Sequence, residues 1–156
     1  MRLTKILIAL AAFVLASCDR SIVYSEGQRV DEKGWSMDQA LVFNCDVQDT
    51  SAPCICCIDL RNTDDYPFSN IYFFIKTIYP DGSVAVDTNI QFVLAENDGQ
   101  WRGRRSGKYI DGRYPFCYFH FPQPGAYQFQ ISHAMRDTML RGVKEVGLTI
   151  IKNKEK

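Results

Sequence analysis

The chain lacks the short motifs that announce most enzymes. No G-x-S-x-G, H-E-x-x-H, P-loop or G-x-G-x-x-G run occurs in its 156 residues. That removes the common signatures of serine hydrolases, zinc proteases and nucleotide-binding enzymes. Histidine is scarce, with two copies, His120 and His133. Neither sign of charge is in excess, because 18 basic and 18 acidic side chains cancel. A chain without a net field offers no broad footprint for nucleic acid or anionic lipid. Internal repeats and a long helical period are missing too. The best helical candidate, residues 134–140 with Met135 and Met139 four apart, reads as a loop or a single turn. No apolar run reaches the roughly 17–25 residues that a membrane-spanning helix needs.

What the chain does have begins at its N-terminus. Arg2 and Lys5 precede an apolar run over residues 6–15, and Leu15-Ala16-Ser17-Cys18 follows. A basic start, a short apolar run and small residues before a cut form a secretory signal. The last four residues resemble the bacterial lipobox, whose cysteine thiol receives a diacylglycerol and becomes the mature N-terminus. An ordinary secretory cleavage site is the alternative. The expected organisation is therefore a signal peptide at 1–17, lipidation at Cys18 and a polar tether over 18–34. A single domain follows at 35–151, with a frayed tail at 152–156. Arg2 and Lys5 leave with the signal, so 16 of the 18 basic side chains remain against 18 acidic ones. Acyl chains add about 0.8 kcal/mol of membrane affinity per buried methylene. The domain is expected to work beside a membrane and outside the cytoplasm. The sequence leaves open whether that is the inner membrane or the periplasmic face of the outer one.

Aromatic residues are abundant, with ten Phe, eight Tyr and two Trp, a composition that favours strands. Leu41, Phe43, Cys45 and Val47 alternate with polar partners. Tyr127, Phe129 and Ile131 do the same, the period-2 pattern of half-buried strands. Further strands are read at 55–61, 71–79, 84–94, 116–121 and 146–151. The segment 71–79 is apolar on both faces, and Phe74 is assigned to the core. Turn chemistry recurs at Pro80-Asp81-Gly82-Ser83, Asn97-Asp98-Gly99 and Pro122-Gln123-Pro124-Gly125. Residues 102–113 hold four Arg, one Lys and three Gly and read as a long exposed loop with at most a short strand. The fold class is all-β. A single antiparallel β-sandwich is expected, jelly-roll or immunoglobulin-like, with about 7–8 strands.

Five cysteines remain beside Cys18: Cys45, Cys54, Cys56, Cys57 and Cys117. On a strand, Cys54 and Cys56 share a face with Ile58 and Leu60, while Cys57 points the other way. Core thiols are the plain reading. One disulfide, Cys45 with Cys54 or Cys56, is the second, and a metal site with no nearby histidine the third. Asp59, Asn62, Asp64 and Asp65 supply oxygen ligands but not EF-hand spacing. They suit an Asx-type loop that bonds its own backbone. Neither metal nor cofactor is expected. Arg102, Arg104, Arg105, Lys108 and Arg113 form a basic stretch, read as solvated or as meeting an acidic partner.

One block then resembles a known family. Residues 60–74, Leu-Arg-Asn-Thr-Asp-Asp-Tyr-Pro-Phe-Ser-Asn-Ile-Tyr-Phe-Phe, look like the central block of the GldH gliding-motility lipoproteins of the Bacteroidota. Lys33-Gly34-Trp35, Tyr79-Pro80-Asp81-Gly82, Asp98-Gly99-Gln100-Trp101-Arg102-Gly103 and Gly125-Ala126-Tyr127 agree in order. So do Ala134-Met135-Arg136, Val146-Gly147-Leu148 and the lipobox. The resemblance implies a non-enzymatic cell-envelope lipoprotein tied to gliding motility and the type IX secretion apparatus. It implies no catalytic residues, and the Cys54–Cys57 cluster lies outside the pattern. The expected contact surface for a protein partner is Arg61, Asn62, Asp64, Asp65, Tyr66 and Asn70 with Trp35 and Trp101. The rival reading is a carbohydrate-binding sandwich, which needs Trp35 and Trp101 exposed. A hydrolase built on His120 or His133 needs an acid and a nucleophile within about 3 Å.

Overall fold

A computed structural model describes residues 21–153; the signal segment, Cys18 and the last three residues lie outside them. The strands are β1 (Ile22–Arg29), β2 (Trp35–Ser36), β3 (Leu41–Val47), β4 (Cys54–Thr63) and β5 (Asn70–Ile78). They continue with β6 (Val84–Val93), β7 (Arg104–Ser106), β8 (Tyr109–Phe119), β9 (Gly125–His133), β10 (Met139–Leu140) and β11 (Val143–Lys152). Eight of them have seven or more residues, matching the expected number. No helix forms among the described residues, and 134–138 is a loop.

The strands pair as a nest. β5 pairs with β6, β4 with β8, β3 with β9 and β1 with β11, all antiparallel. The chain is one long hairpin folded over itself. Two further ladders, β4 with β11 and β5 with β9, close it into two sheets. Their orders are β1-β11-β4-β8-β7 and β3-β9-β5-β6. This is the strand order of a jelly roll, not of an immunoglobulin domain. Successive long strands swap sheets, apart from the β5–β6 hairpin, so their connections collect at the two ends of the sandwich. Residues 48–53, 79–83 and 120–124 lie at one end. Residues 30–40, 64–69, 94–103 and 134–142 lie at the other.

Each inner face is apolar because period-2 alternation puts every second side chain there. Phe43 and Cys45 come from β3, Ile58 and Leu60 from β4, Ile71, Phe73 and Ile75 from β5. Tyr127, Phe129 and Ile131 come from β9, Val146, Leu148 and Ile150 from β11. Burying one such side chain contributes about 1.5–3 kcal/mol. An aromatic cluster fills the end near β9, with Phe121 4.7 Å from Tyr127 and 4.8 Å from Phe119 between ring centres.

Three expectations change. Within the expected tether, Ile22–Arg29 is an edge strand. It lacks apolar alternation because an edge strand here is held by its ladder to β11 rather than by burial. Residues 102–113 are not a long loop but the β7–β8 hairpin, turned at Gly107 with φ +62°. Its outward arginines and glycines hide the strand. Phe74 is not core: β5 alternates strictly, and Phe74 stands 51% exposed on the outer face.

His133 and Gly142 tie the loop-rich end to this core. The His133 Nε2–H donates to the Trp35 carbonyl at 3.0 Å, since a carbonyl can only accept. Its Nδ1 is buried with no hydrogen-bond partner, which suits a neutral ring. Burial holds the His133 pKa below 6.5, against weaker pulls from that bond and from Asp137. Protonation therefore disfavours the folded state. Stability is full above pH ~6.5 and falls as the pH drops through the unfolded-state value. Urea unfolding between pH 7.5 and 5 should show this loss, and His133→Gln should flatten it. Gly142 sits at φ +84°, where a Cβ would come within 2.7 Å of the Tyr66 Cα, whereas one at Gly82 (φ +86°) meets nothing within 4 Å. Both alanine variants carry the left-handed strain of about 1 kcal/mol. Gly142→Ala adds a backbone clash, so it should cost at least twice as much as Gly82→Ala in the same assay.

Candidate interaction surface

The eight residues expected to form a contact surface do gather at one end of the sandwich, with 30–40, 64–69, 94–103 and 134–142. They divide by burial. Trp35 is fully buried, its indole N–H donating to the Gln39 carbonyl at 2.9 Å and its ring set against Phe73 and His133. Tyr66 is 4% exposed; its hydroxyl donates to the Asn70 carbonyl at 3.0 Å. Asn62 is buried, and its amide donates to the Thr63 carbonyl. These three shape the surface from beneath and cannot touch a partner. Trp101 is half-buried, its ring 6.5 Å from that of Tyr66. Asn70 is half-buried as well, while Arg61, Asp64 and Asp65 are exposed.

The exposed residues are held in place. Arg61 Nε lies 2.7 Å from Asp111, and its guanidinium stacks 5.7 Å from the Tyr109 ring centre. Asp64 accepts from Arg105 at 3.0 Å, and its backbone N–H donates to the Lys108 carbonyl. A hydrogen bond from Thr63 holds the Asp65 carboxyl below the usual range. The Thr63 N–H in turn donates to the Gly142 carbonyl at 2.8 Å. The loop 61–70 is thus fastened to the β7–β8 turn and to the 134–142 connection. Exposed ion pairs contribute little stability, about 0–1 kcal/mol each; here they set geometry.

Two adjoining grooves cross this end. One is lined by Glu32, Lys33, Asp65, Arg141 and Lys144, the other by Arg29, Glu32, Arg61, Lys108, Tyr109 and Glu145. Residue-by-residue reading missed Glu32, Lys33, Arg141 and Lys144. Their one signal is position, since all lie in or beside connections that the topology sends to a single end. Cations outnumber anions there.

The alternative sites fare less well. His120 is exposed and hydrogen-bonds the Thr50 carbonyl at the far end, so the two histidines share no site. None of the five cysteines is bridged in this structure. Cys45 lies opposite Tyr127 and Cys54 opposite Phe119, so the expected Cys45 bridge has no cross-strand partner. Burial pushes the Cys45 thiol up to about 12. Among the described residues, no group of His, Cys, Asp and Glu could hold a metal ion.

Comparison with known proteins identifies the lineage. At 28% identity over 148 residues, the chain is similar to a gliding motility lipoprotein GldH homolog of Christiangramia forsetii, covering 90% of each chain. It is 28% identical over 153 residues to the gliding motility lipoprotein GldH of Flavobacterium johnsoniae, covering 92% of this chain and 93% of that one. Among solved structures, it aligns with part of a family GH115 4-O-methyl-alpha-glucuronidase at TM-score 0.43 and 12% identity. That alignment covers 88% of this chain and 18% of that one. The family model for the GldH lipoprotein matches residues 22–150, from the first residue of β1 into β11, so it spans both sheets of the jelly roll and every residue of the loop-rich end. The chain belongs to the GldH family of gliding-motility lipoproteins.

Proposed function

We propose that this membrane-anchored envelope lipoprotein is a non-enzymatic scaffold that captures a protein partner in the machinery of gliding motility and type IX secretion. The observation that carries the reading is polarity along β1. Cys18 lies four residues before Ile22 in the sequence, a reach of at most about 14 Å. Ile22 aligns with Ile151, at the end away from the loop 61–70. Arg29, seven residues on, aligns with Glu145 and through it with Arg61. At about 3.4 Å per residue, that separates the two ends by roughly 24 Å. With Cys18 lipidated, the grooved end faces away from the membrane. The anchor confines the domain to a plane and raises its effective concentration near a partner. The excess of cations at the grooves suits an acidic partner surface, and such fields steer encounter.

The test is crosslinking of the full chain in cells, with mass spectrometry of captured proteins. Asp64→Ala with Asp65→Ala, and separately Lys108→Glu with Lys144→Glu, leave the buried Tyr66 and Trp35 intact. Each pair should cut capture of a defined envelope protein about tenfold, or ~1.4 kcal/mol, with an unchanged melting temperature. Undiminished capture by both folded variants would falsify this surface.

A second reading, glycan binding, moves to a different face. Trp35 is buried, so the expected tryptophan platform does not form. Phe74 and Tyr72 instead stand out from β5 on the outer face of the β3-β9-β5-β6 sheet. Lys76, Asp87, Gln130 and Ser132 border Phe74. Gln130 donates to Gln128 and Gln128 to Asn44, at 2.7 and 3.1 Å. Exposed rings beside amides are the chemistry that stacks on and hydrogen-bonds sugars. Affinity electrophoresis in soluble polysaccharides checks it. Retardation lost in Phe74→Ala supports the glycan reading, and no retardation of the unaltered protein discards it.

A further inference from the structure

Two cysteines face one another across the β4–β8 ladder. Cys56 lies in register with Cys117. Residues directly opposite in an antiparallel pair have Cα atoms about 4.5–5.5 Å apart. That falls inside the roughly 4.4–6.8 Å span of a disulfide. Side chains of directly opposed residues leave the sheet on the same face, so the two thiols are neighbours. No other two of the described cysteines lie in register. Cys57 lies opposite Pro115, Cys54 opposite Phe119 and Cys45 opposite Tyr127 in the other sheet. The register shifts between Cys56 and Cys57, which leaves Phe116 as the extra residue of a β-bulge. Bulges bend a strand and re-aim its side chains. Here the bulge sets Cys117, rather than Phe116, against Cys56.

We propose that Cys56 and Cys117 are joined by a disulfide once the protein has reached the cell envelope. Exported proteins meet oxidising conditions that cytosolic thiols do not. The oxidant is a disulfide of an envelope thiol oxidoreductase. Cys117 is half-buried and Cys56 fully buried, so Cys117 meets the oxidant first. The neighbouring Cys56 thiol lowers the Cys117 pKa, which favours the attacking thiolate. The Cys117 Sγ attacks one sulfur of the oxidant and expels the other as a thiolate. Cys56 then loses its proton and attacks the Cys117 Sγ, releasing the second oxidant thiolate. Two thiols lose two protons and two electrons, and the oxidant disulfide takes both electrons and becomes a dithiol.

The bridge closes a loop that contains β5, β6 and β7. It fastens the β4–β8 pair around the inner hairpin, and constraining a loop of this length stabilises the fold mainly through the unfolded chain. Cys45, Cys54 and Cys57 stay reduced.

The experiment takes the full chain, expressed with its own N-terminal segment and recovered from envelopes under acid quench. Free thiols are alkylated before and after reduction, and peptides are mapped by mass spectrometry. The expected result is one linked pair of peptides joining Cys56 and Cys117, with the other three thiols labelled before reduction. Reductant should lower the melting temperature by about 10 °C. Cys57→Ser should keep both signatures, and Cys117→Ser should lose both. Labelling of Cys56 and Cys117 without reduction in the unaltered protein overturns the proposal, as does a linked peptide joining any other pair.

Discussion

The inner faces of two sheets must meet over one continuous apolar layer, and the nested pairing exists to serve that contact. A single sheet of this chain could bury only one side of each strand, leaving Phe43, Phe73, Phe129 and their neighbours in water. Folding the long hairpin over itself brings β3, β5 and β9 against β4, β8 and β11, and every inner side chain finds a partner. The demand propagates outward. Because long strands alternate between sheets, nearly every connection must cross the edge of the layer. Connections therefore pile up at two ends, while the outer faces carry only side chains. The longer connections, with β2 and β10 among them, collect at the end away from Ile22. Loops on a rigid scaffold are where binding residues usually sit.

The same layer decides which residues of that end can serve function. Tyr66 and Trp35 come from loops and short strands, yet both descend into the core: Tyr66 packs on Phe68 and Trp101, Trp35 on Phe73 and His133. They plug the open rim of the sandwich, where inner-face strands run out before the apolar layer is covered. Their hydroxyl and indole N–H are satisfied by carbonyls nearby, as buried polar groups must be. The charged residues between them, Asp64 and Asp65, are pushed to the outside by this plugging. Rim-sealing aromatics and an exposed acidic pair are therefore one design, in which the first orders the second.

Sequence alternation foresaw the strands whose two faces differ. β3 and β9 read cleanly because one side meets core and the other water. It missed β1 and the β7–β8 hairpin, where the signal is absent for opposite reasons. β1 is an edge strand and buries little. The first half of β8 carries Asp111, Gly112 and Arg113, residues that read as loop until their cross-strand partners are known. Arg113 pairs with Asp59, 54 positions away, and Arg61 with Asp111, 50 away. No local window contains either pair. The residues of the contact surface were legible as a set, but their burial was not, since an aromatic in a polar loop can stack outward or seal a rim. Phe74 is the reverse case: an apolar strand on both faces says nothing of whether a second layer covers the outer one.

The outer face of the β1-β11-β4-β8-β7 sheet shows why the grooved end, rather than the flat face, is the place for a charged partner. Arg29, Glu145, Arg61, Asp111 and Arg104 align in register as one row across all five strands. Their charges alternate from positive to negative along the row. Opposite charges directly across strands are mutually favourable, by roughly 0.2–1 kcal/mol a pair. A partner approaching this face must compete with neighbours already in place: Asp111 holds Arg61 at 2.7 Å, and Asp59 holds Arg113 at 2.5 Å. A row of alternating sign, with three positive charges against two negative, presents little field beyond a Debye length, about 8 Å at physiological salt. It also guards the sheet, because charged side chains near an edge discourage pairing with another chain. At the rim the ladder ends and the pattern breaks. Lys33, Lys108 and Arg141 come from connections, and Lys144 sits at the register shift near the start of β11, so no cross-strand register supplies any of them with an opposite charge. The excess of cations at the grooves is thus a consequence of topology, and it lies where the chain is farthest from the start of β1.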